Sequence, residues 1–219
     1  MEPPLNEELN YHETRFTFDK RREVLWRTLC DCYFNKLIDP GFHVLELGAG
    51  YGHFINNVKC VRKTAVDKWP LMGNYLNPSV EGHFASAAEL GFVEDKSVDF
   101  VFASNLFEHL TQSEFASCLS EVRRTLKSGG TLNILQPNYR RAYREYFDDY
   151  THVAVYSDIS LCDFLVAHGF DILVSYPGFL PFSIKSDMPV IPWLIRLYMA
   201  LPWRPMAKQM FVRARPSAA

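Results

Sequence analysis

Residues 43–52 read HVLELGAGYG, and this stretch decides the fold class. An apolar run of strand type is followed at once by glycines with the spacing G-x-G-x-G, at Gly48, Gly50 and Gly52. A turn this close to a strand needs residues that accept a positive φ, and glycine does so without steric cost. The stretch therefore predicts a strand, a tight turn and a helix, with a ligand at the carboxyl end of the strand beside the helix N-terminus.

A single acid follows at the end of the next β-rich run. Asp67 closes KTAVD, residues 63–67, where a carboxylate at the tip of a second strand can accept hydrogen bonds from ribose hydroxyls. Position 53 is His, whereas the dinucleotide fingerprint G-x-G-x-x-G places its third glycine there. The spacing therefore disfavours a nicotinamide enzyme, although a ribose-bearing ligand remains favoured.

Strand-like and helix-like segments alternate along the rest of the chain. Further strands are predicted at residues 83–86, 98–105, 131–138, 170–176 and 209–215, and helices at residues 17–38, 70–76, 113–126 and 157–167. Ser113 is the predicted N-cap of its helix, and residues 127–130 are its predicted stop. The pattern predicts an α/β fold with a doubly wound, mostly parallel seven-stranded sheet and helices on both faces.

Length and composition limit the domain organisation and the partners. The 219 residues fit a single domain over 1–219, with an N-terminal helical cap at 1–40 and an apolar insertion at 177–207 before the last strand. A formal net charge of −2 argues against a nucleic-acid partner. Five cysteines without C-x-x-C spacing predict free thiols, and the polar N-terminus lacks an apolar signal region, so we expect a cytoplasmic protein.

Four features, in this order along the chain, resemble class I S-adenosylmethionine-dependent methyltransferases. These enzymes have a Rossmann-like fold, and the resemblance is to methyltransferases of types 11 and 23. The four features are ELGAGYG at 46–52, Asp67, VDFVFASNLFEHL at 98–110 and LKSGGTLNILQPN at 126–138, and the resemblance covers roughly residues 40–175. It implies an enzyme whose cofactor is S-adenosyl-L-methionine. The cofactor-binding residues that it implies, together with neighbours chosen on chemistry, are Glu46, Gly48, Gly50, Gly52, Asp67, Lys68, Ser86, Ala87 and Asn105.

Two of these positions depart from the family pattern. Ser86 replaces an acid that the family often places near the adenine amino group, where the Ser86 hydroxyl or the Ala87 backbone offers a substitute hydrogen bond. Asn105 replaces the first acid of the E-x-x-E-H pattern that some ubiquinone-type O-methyltransferases use as a metal site, so we predict no metal. These departures are the support for an alternative, a non-catalytic methyltransferase-fold binding module.

Two histidines are the catalytic candidates. A hydroxyl or amine acceptor must lose a proton during methylation, which suits a nearby imidazole. His109 follows the fourth strand. Alternatively, it is a partly exposed residue with a purely structural place at the start of a helix. His152 lies in a D-x-T-H step similar to methyltransferases of bacterial surface-glycan and lipid gene neighbourhoods, as a base or substrate-orienting group; its alternative role is to cap the next helix.

The sequence indicates the class of methyl acceptor only in general terms. We predict methyl transfer to an O or N atom of a small molecule, glycan or lipid-linked intermediate, and leave the oligomeric state open. In the insertion, Trp193, Tyr198 and Trp203 lie near arginines and lysines. This composition favours a lid over an apolar substrate or peripheral membrane contact through residues 180–205, with packing against the domain or a second subunit as the alternative.

Overall fold

The fold is built on one twisted sheet of seven strands. The computed structural model describes residues 16–181 and 190–218, and the strand order is β3-β2-β1-β4-β5-β7-β6. Strands β1 to β5 pair in parallel, whereas β7 is antiparallel to both β5 and β6. The strands are β1 His43–Leu47, β2 Arg62–Asp67, β3 Glu81–Phe84, β4 Val98–Ser104, β5 Leu126–Pro137, β6 Phe170–Pro181 and β7 Ala207–Pro216. The predicted fold class is confirmed.

Helices cover both faces of this sheet. The α-helices are α1 Lys20–Cys32, α2 Gln112–Thr125, α3 Tyr139–Ala142, α4 Asp158–Ala167 and α5 Pro192–Ala200. Short 3₁₀ turns lie at Phe34–Lys36, Met72–Tyr75, Phe107–His109 and Tyr146–Asp148. Among the described residues, no helix is long and apolar enough to cross a membrane.

The core lies on both sides of the central strands. All five residues of β1 are buried, as expected for a parallel strand that is covered on both faces. Phe115 of α2 and Leu161 of α4 belong to the apolar cluster on one face, and Leu29 of α1 belongs to the cluster on the other. The ends of the strands, rather than their middles, are therefore left for chemistry.

One predicted element is wrong, and it bears on the site. Residues 51–57 form a series of turns, not the helix expected after the glycine loop. Gly52 has a φ of +65°, which is incompatible with a right-handed helical start, and the Asn57 side chain donates to the carbonyl of His53. The glycine loop is therefore followed by turns rather than by a regular helix.

Three boundaries also differ from the prediction. α2 is capped by Thr111, not Ser113, because the Thr111 and Glu114 side chains each accept a hydrogen bond from the other's backbone N–H. Residues 127–130 belong to β5 at a register shift opposite Val98, and residues 70–76 contain only a 3₁₀ turn.

The two terminal predictions fall partly outside the described residues. Of the predicted cap at 1–40, residues 1–15 lie outside them and α1 forms most of the remainder. β6 extends to Pro181, so the predicted insertion begins later than residue 177; residues 182–189 lie outside the described part, and α5 follows. One side of α5 packs on α1 through Ile195, Tyr198 and Met199.

Candidate cofactor and acceptor site

The glycine loop leaves the carboxyl end of β1 and is fastened to β2. Gly48, Gly50 and Gly52 have φ values of +67°, +50° and +65°. The N–H groups of Gly48 and Ala49 donate to the carbonyl of Val66, at 2.9 and 3.1 Å. The predicted need for glycine at these positions is therefore met by the backbone geometry.

Side chains lie directly against this loop. A Cβ at Gly48 would stand 3.1 Å from Cδ1 of Leu106, and a Cβ at Gly52 would stand 2.8 Å from Cδ2 of Leu76. Glycine at these two positions is therefore required by the packing of neighbouring side chains as well as by the positive φ.

Asp67 lies at the carboxyl end of β2, beside the loop. Its Oδ2 accepts from the N–H of Gly50 at 2.7 Å and its Oδ1 from the N–H of Trp69 at 2.8 Å. Burial raises the pKa of Asp67, and these backbone hydrogen bonds oppose the rise. The N–H of Lys68 contributes a third backbone hydrogen bond, and because a carboxylate has about four acceptor positions, one remains for a ribose hydroxyl.

Glu46 supports the loop from beneath. It is buried within β1, and its Oε2 accepts from the N–H of Ile55 at 3.0 Å. Burial raises the pKa of Glu46 well above its usual value. Its observed contact therefore holds the residues after the loop in place, and its contact with the cofactor stays a prediction.

A cavity of about 520 Å³ opens beside the ends of β2 and β3. This is within the size range of small-molecule and cofactor sites. It brings together Lys68 and Ser86, two of the predicted cofactor residues, whereas Ala87 is buried in the core beside it. The complete lining is Lys68, Phe84, Ala85, Ser86, Ala88, Glu89, Ser113, Glu114 and Ser117.

Asn105 follows β4 in a left-handed conformation, with a φ of +50°. Its Oδ1 accepts from Nε2 of Gln209, at 2.7 Å, and its N–H donates to the carbonyl of Leu135. The side chain is thus oriented by β7, through a long-range contact that no local sequence pattern indicates.

Aromatic rings from separate segments surround the glycine loop. Tyr51 contacts Trp69 and Tyr75 edge to face, at ring-centroid distances of 4.8 and 4.7 Å. Phe18, just before α1, contacts Tyr51 and Tyr75 at 5.4 and 5.8 Å. Residues from three separate segments therefore form an apolar wall at the cofactor end.

The two catalytic candidates meet although they are distant in sequence. Glu108, His109 and His152 each place one ligand atom so that the three atoms lie within 4.8 Å of one another. The backbone carbonyl of Glu108 accepts from the N–H groups of Val153 and Ala154, at 2.9 and 3.1 Å, which fixes the two segments together. We call these three side chains the Glu–His–His cluster.

Hydrogen bonds set the proton positions of both imidazoles. Nδ1 of His152 lies 2.5 Å from the carbonyl of Tyr146, and a carbonyl only accepts, so Nδ1 carries the proton. Nδ1 of His109 lies 2.9 Å from Oγ1 of Thr151, whose own hydroxyl donates to Asp149 at 2.6 Å. In both rings, Nε2 is therefore the basic nitrogen.

Burial controls the charges of the cluster. It lowers the pKa of His109 to about 4, with a further contribution from the neighbouring His152. It raises the pKa of Glu108 to about 8. Glu108 is 0% exposed, and neither carboxyl oxygen has a hydrogen-bond partner among the described residues. At neutral pH, His109 is neutral and can accept a proton.

The cluster and the glycine loop occupy the same edge of the sheet. Both follow the carboxyl end of a central parallel strand, β4 for the cluster and β1 for the loop. Leu106, which contacts Gly48, is two residues from Glu108. The short 3₁₀ turn Phe107–His109 thus connects the cofactor end of the site to the cluster.

Comparison with known proteins agrees with this geometry. Residues 45–134 match the family model described as a methyltransferase domain. None of the curated proteins compared with the chain is similar enough to match it.

Solved structures agree over nearly the whole chain. An S-adenosylmethionine-dependent methyltransferase from Archaeoglobus fulgidus has 20% identity and a TM-score of 0.69, over 95% of this chain and 99% of that one. A possible histamine N-methyltransferase from Thermotoga maritima has 18% identity and a TM-score of 0.60, over 96% and 95%. A geranyl diphosphate methyltransferase in complex with S-adenosylmethionine has 11% identity and a TM-score of 0.61, over 89% and 85%. At these identities, the structural likeness establishes the fold.

The fold is the one that class I methyltransferases share, and residues 45–134 match the methyltransferase-domain model. Fold and match together support a methyltransferase enzyme that uses S-adenosylmethionine. The prediction of an enzyme and of its cofactor is confirmed, and the non-catalytic module is not supported. Asp67 keeps an acceptor position for a ribose hydroxyl, and the cavity beside Lys68 and Ser86 has the volume of a cofactor site, although no residue of the glycine loop lines it.

Proposed function

We propose that the enzyme transfers a methyl group to an O or N atom of an acceptor that binds against the Glu–His–His cluster. The observation that carries the proposal is the meeting of His109 and His152, from two separate segments, at the same sheet edge as the glycine loop. S-adenosylmethionine supplies a methyl group on a positively charged sulfur. The chain's own residues must hold the acceptor, exclude water and take up its proton.

His152 is the proposed base, and His109 is its partner. The rings lie 4.8 Å apart, so a second positive charge beside the first is unfavourable. One proton can therefore be accepted by the pair at a time. The Tyr146 carbonyl stabilises a protonated His152 through Nδ1, and Asp149 does the same for His109 through Thr151.

The proposed acceptor is a small molecule, glycan or lipid-linked intermediate with an apolar part. Support comes from the segment between β5 and α4, which carries His152 and exposes Tyr143, Phe147, Tyr150 and Val153. Apolar side chains grouped beside a catalytic cluster favour an acceptor that buries them. The five cysteines, all within the described residues, are free, which supports the proposed cytoplasmic location.

We further propose that α5 and the residues after it contact a membrane surface. Trp193 is 63% exposed and Trp203 is 74% exposed, and the exposed guanidinium of Arg196 lies on the same helix as Trp193. Aromatic rings beside cations are typical of segments that lie in the membrane interface. A membrane contact here would deliver a lipid-linked acceptor to the sheet edge where the cluster lies.

The test of the proposed chemistry is methyl transfer from radiolabelled S-adenosylmethionine. The acceptors are panels of hydroxyl and primary-amine compounds, each with and without an alkyl chain. We expect transfer by the wild type to at least one panel, a loss of about 10²–10⁴-fold in His152→Ala, and unchanged cofactor affinity in that variant. Undiminished transfer by both His152→Ala and His109→Ala would contradict the assignment.

A further inference from the structure

Glu108 is a buried carboxyl group whose surroundings do not account for it. Both of its oxygens lie inside the protein, and no other described residue donates a hydrogen bond to them; only the N–H of Glu108 itself is close. Leaving such a group unsatisfied destabilises the fold, and does so more strongly if the group is charged. An unpaired buried carboxyl group in a native fold therefore needs an explanation, of which a bound ion is one.

The neighbours of Glu108 are the right ligands for an ion. One ring nitrogen of His109, one of His152 and a carboxyl oxygen of Glu108 all lie within 4.8 Å of one another. Two imidazoles and one carboxylate therefore converge from two segments. Ligands of a bound transition metal lie about 2.0–2.2 Å from it, and so about 3–3.5 Å from one another. The longest of the described separations, up to 4.8 Å, would therefore contract by about 1.3–1.8 Å when an ion binds.

The hydrogen bonds of the imidazoles match those of metal ligands. A metal-binding histidine typically donates its other ring N–H to a carbonyl or carboxylate, which fixes the ring and makes the ligand nitrogen more basic. His152 does so to the Tyr146 carbonyl, and His109 does so to Asp149 through the hydroxyl of Thr151. These contacts orient both rings before any ion binds.

We propose that Glu108, His109 and His152 form a binding site for one divalent first-row transition-metal ion. The donor set of two imidazoles and one carboxylate favours iron, cobalt, zinc or manganese over magnesium or calcium, which prefer oxygen ligands alone. Asn105 takes no part, because its side-chain oxygen accepts from Gln209. This site revises the expectation of no metal, which considered Glu108 and His109 without His152.

A bound ion would replace the two histidines as the group that activates the acceptor, because their Nε2 atoms would then be its ligands. Three protein ligands would leave open positions on the ion, where an acceptor oxygen could bind and release its proton to solvent more easily. That role rests on the proposed function, whereas the binding of the ion does not. Metal binding and cofactor binding can therefore be tested separately.

The test is a titration of chelator-treated protein with Co²⁺, followed by visible absorption and by metal analysis after gel filtration. We expect one equivalent of Co²⁺ in the wild type, and affinity weakened at least about tenfold in Glu108→Gln and His152→Ala. Glu108→Gln is the more informative variant because it keeps the side-chain shape and removes a buried acid. His168→Ala is the matched control, since His168 also places Nδ1 against a carbonyl, that of Phe164, and should bind Co²⁺ as the wild type does.

Two outcomes would overturn the metal site. One is a wild type that binds no Co²⁺ at stoichiometric concentration; the other is equal binding by the wild type, Glu108→Gln and His152→Ala. S-adenosylmethionine titrated into the same samples separates this result from the proposed function. Retained cofactor binding and methyl transfer without Co²⁺ binding would refute the metal site alone.

Discussion

Gly52 is the residue of the glycine loop where an added side chain meets the closest contacts. An added Cβ would stand 2.8 Å from Cδ2 of Leu76 and 3.0 Å from Nδ2 of Asn56, at a φ of +65°. We expect Gly52→Ala to lower the free energy of unfolding by about 1–2 kcal/mol through left-handed strain and to weaken S-adenosylmethionine binding. Chemical denaturation and calorimetric titration measure the two effects.

Gly73 provides the control for this substitution. A Cβ there would meet no atom of the described residues within 4 Å, and its φ lies outside the left-handed region. Gly73→Ala should therefore leave both quantities close to those of the wild type. Equal effects of the two substitutions would contradict the view that the loop geometry requires glycine.

His53 makes stability depend on pH. Burial lowers its pKa to about 4, and the nearby Arg22 adds to the shift, while Glu23 and Asp19 oppose it. Between about pH 6.5 and 4 the unfolded chain takes up a proton that the folded chain excludes, so stability falls as the pH drops through this window. The full contribution is up to about 3 kcal/mol.

The comparison that isolates this contribution is wild type against His53→Phe, which keeps an aromatic ring beside Phe18 and Tyr51. We expect the variant to lose less stability than the wild type between pH 6.5 and 4, measured by denaturant unfolding at each pH. Parallel pH profiles for the two proteins would show that His53 is not the group responsible.

At the scale of single residues, the sequence identified the candidate cofactor-binding residues but not the residues with which they form hydrogen bonds. Gly48, Gly52 and Asp67 lie where their spacing predicted, because strand ends and tight turns are local features. The hydrogen bond from Gln209 to Asn105 joins residues 104 positions apart, and no local pattern indicates it. The same holds for the burial of Glu108, which depends on the loop that carries His152.

At the scale of elements, the start of α2 has two candidate N-caps, one from the sequence and one from the structure, and stability measurements can distinguish them. Thr111 caps the helix in a reciprocal arrangement with Glu114. We expect Thr111→Ala to lower the free energy of unfolding by about 1 kcal/mol, the usual cost of losing an N-cap. Denaturant unfolding monitored by circular dichroism gives this value.

Ser113, the N-cap that the sequence favoured, is the natural control. It lies one residue inside the helix and lines the cavity beside Lys68. Ser113→Ala should change stability by less than about 0.5 kcal/mol, as is usual for a surface position away from a cap. A larger loss in Ser113→Ala than in Thr111→Ala would place the cap where the sequence first suggested.

Element type was predictable wherever burial dictated it. The near-continuous apolar run of β4 indicated a buried parallel strand, and the structure has one at Val98–Ser104. The segment after the glycine loop was mistaken for a helix because its apolar residues, such as Phe54 and Ile55, are buried, while its scattered hydrogen bonds of helical spacing do not join into a continuous helix. Residues 127–130 were mistaken for a stop because glycines suit a strand irregularity as well as a loop.

At the scale of the whole molecule, the proposed membrane surface forms beside the site. Helix α5 lies in the connection between the end of β6 and the start of β7. The start of β7 pairs with the carboxyl end of β5. We expect the protein to float with vesicles that contain phosphatidylserine, and Trp193→Ser combined with Trp203→Ser to reduce the floating fraction severalfold. Burial of two indole rings in the interface is the physical reason.

A surface valine at the opposite edge of the sheet is the control. Val61 is 77% exposed and directly precedes β2, at the amino ends of the parallel strands. Val61→Ser should float as the wild type does. An unchanged floating fraction in the double tryptophan variant, or no flotation of the wild type, would contradict the membrane proposal.

The architecture as a whole was predictable because helices and strands alternate along the chain. What the pattern did not contain is the direction of β7, which runs antiparallel between β5 and β6. That direction is set by where the chain re-enters the sheet after the insertion. It brings Gln209 to Asn105 and so helps to complete the site.

The central claim is that the glycine loop and Asp67 bind S-adenosylmethionine, and calorimetric titration of the purified protein tests it most directly. We expect micromolar binding by the wild type, its loss in Asp67→Ala, and its retention in Asp171→Ala, which alters a surface acid on β6. Thermal unfolding of each variant would verify that the fold is intact. No binding by the wild type, or equal affinity in folded Asp67→Ala, would contradict the account.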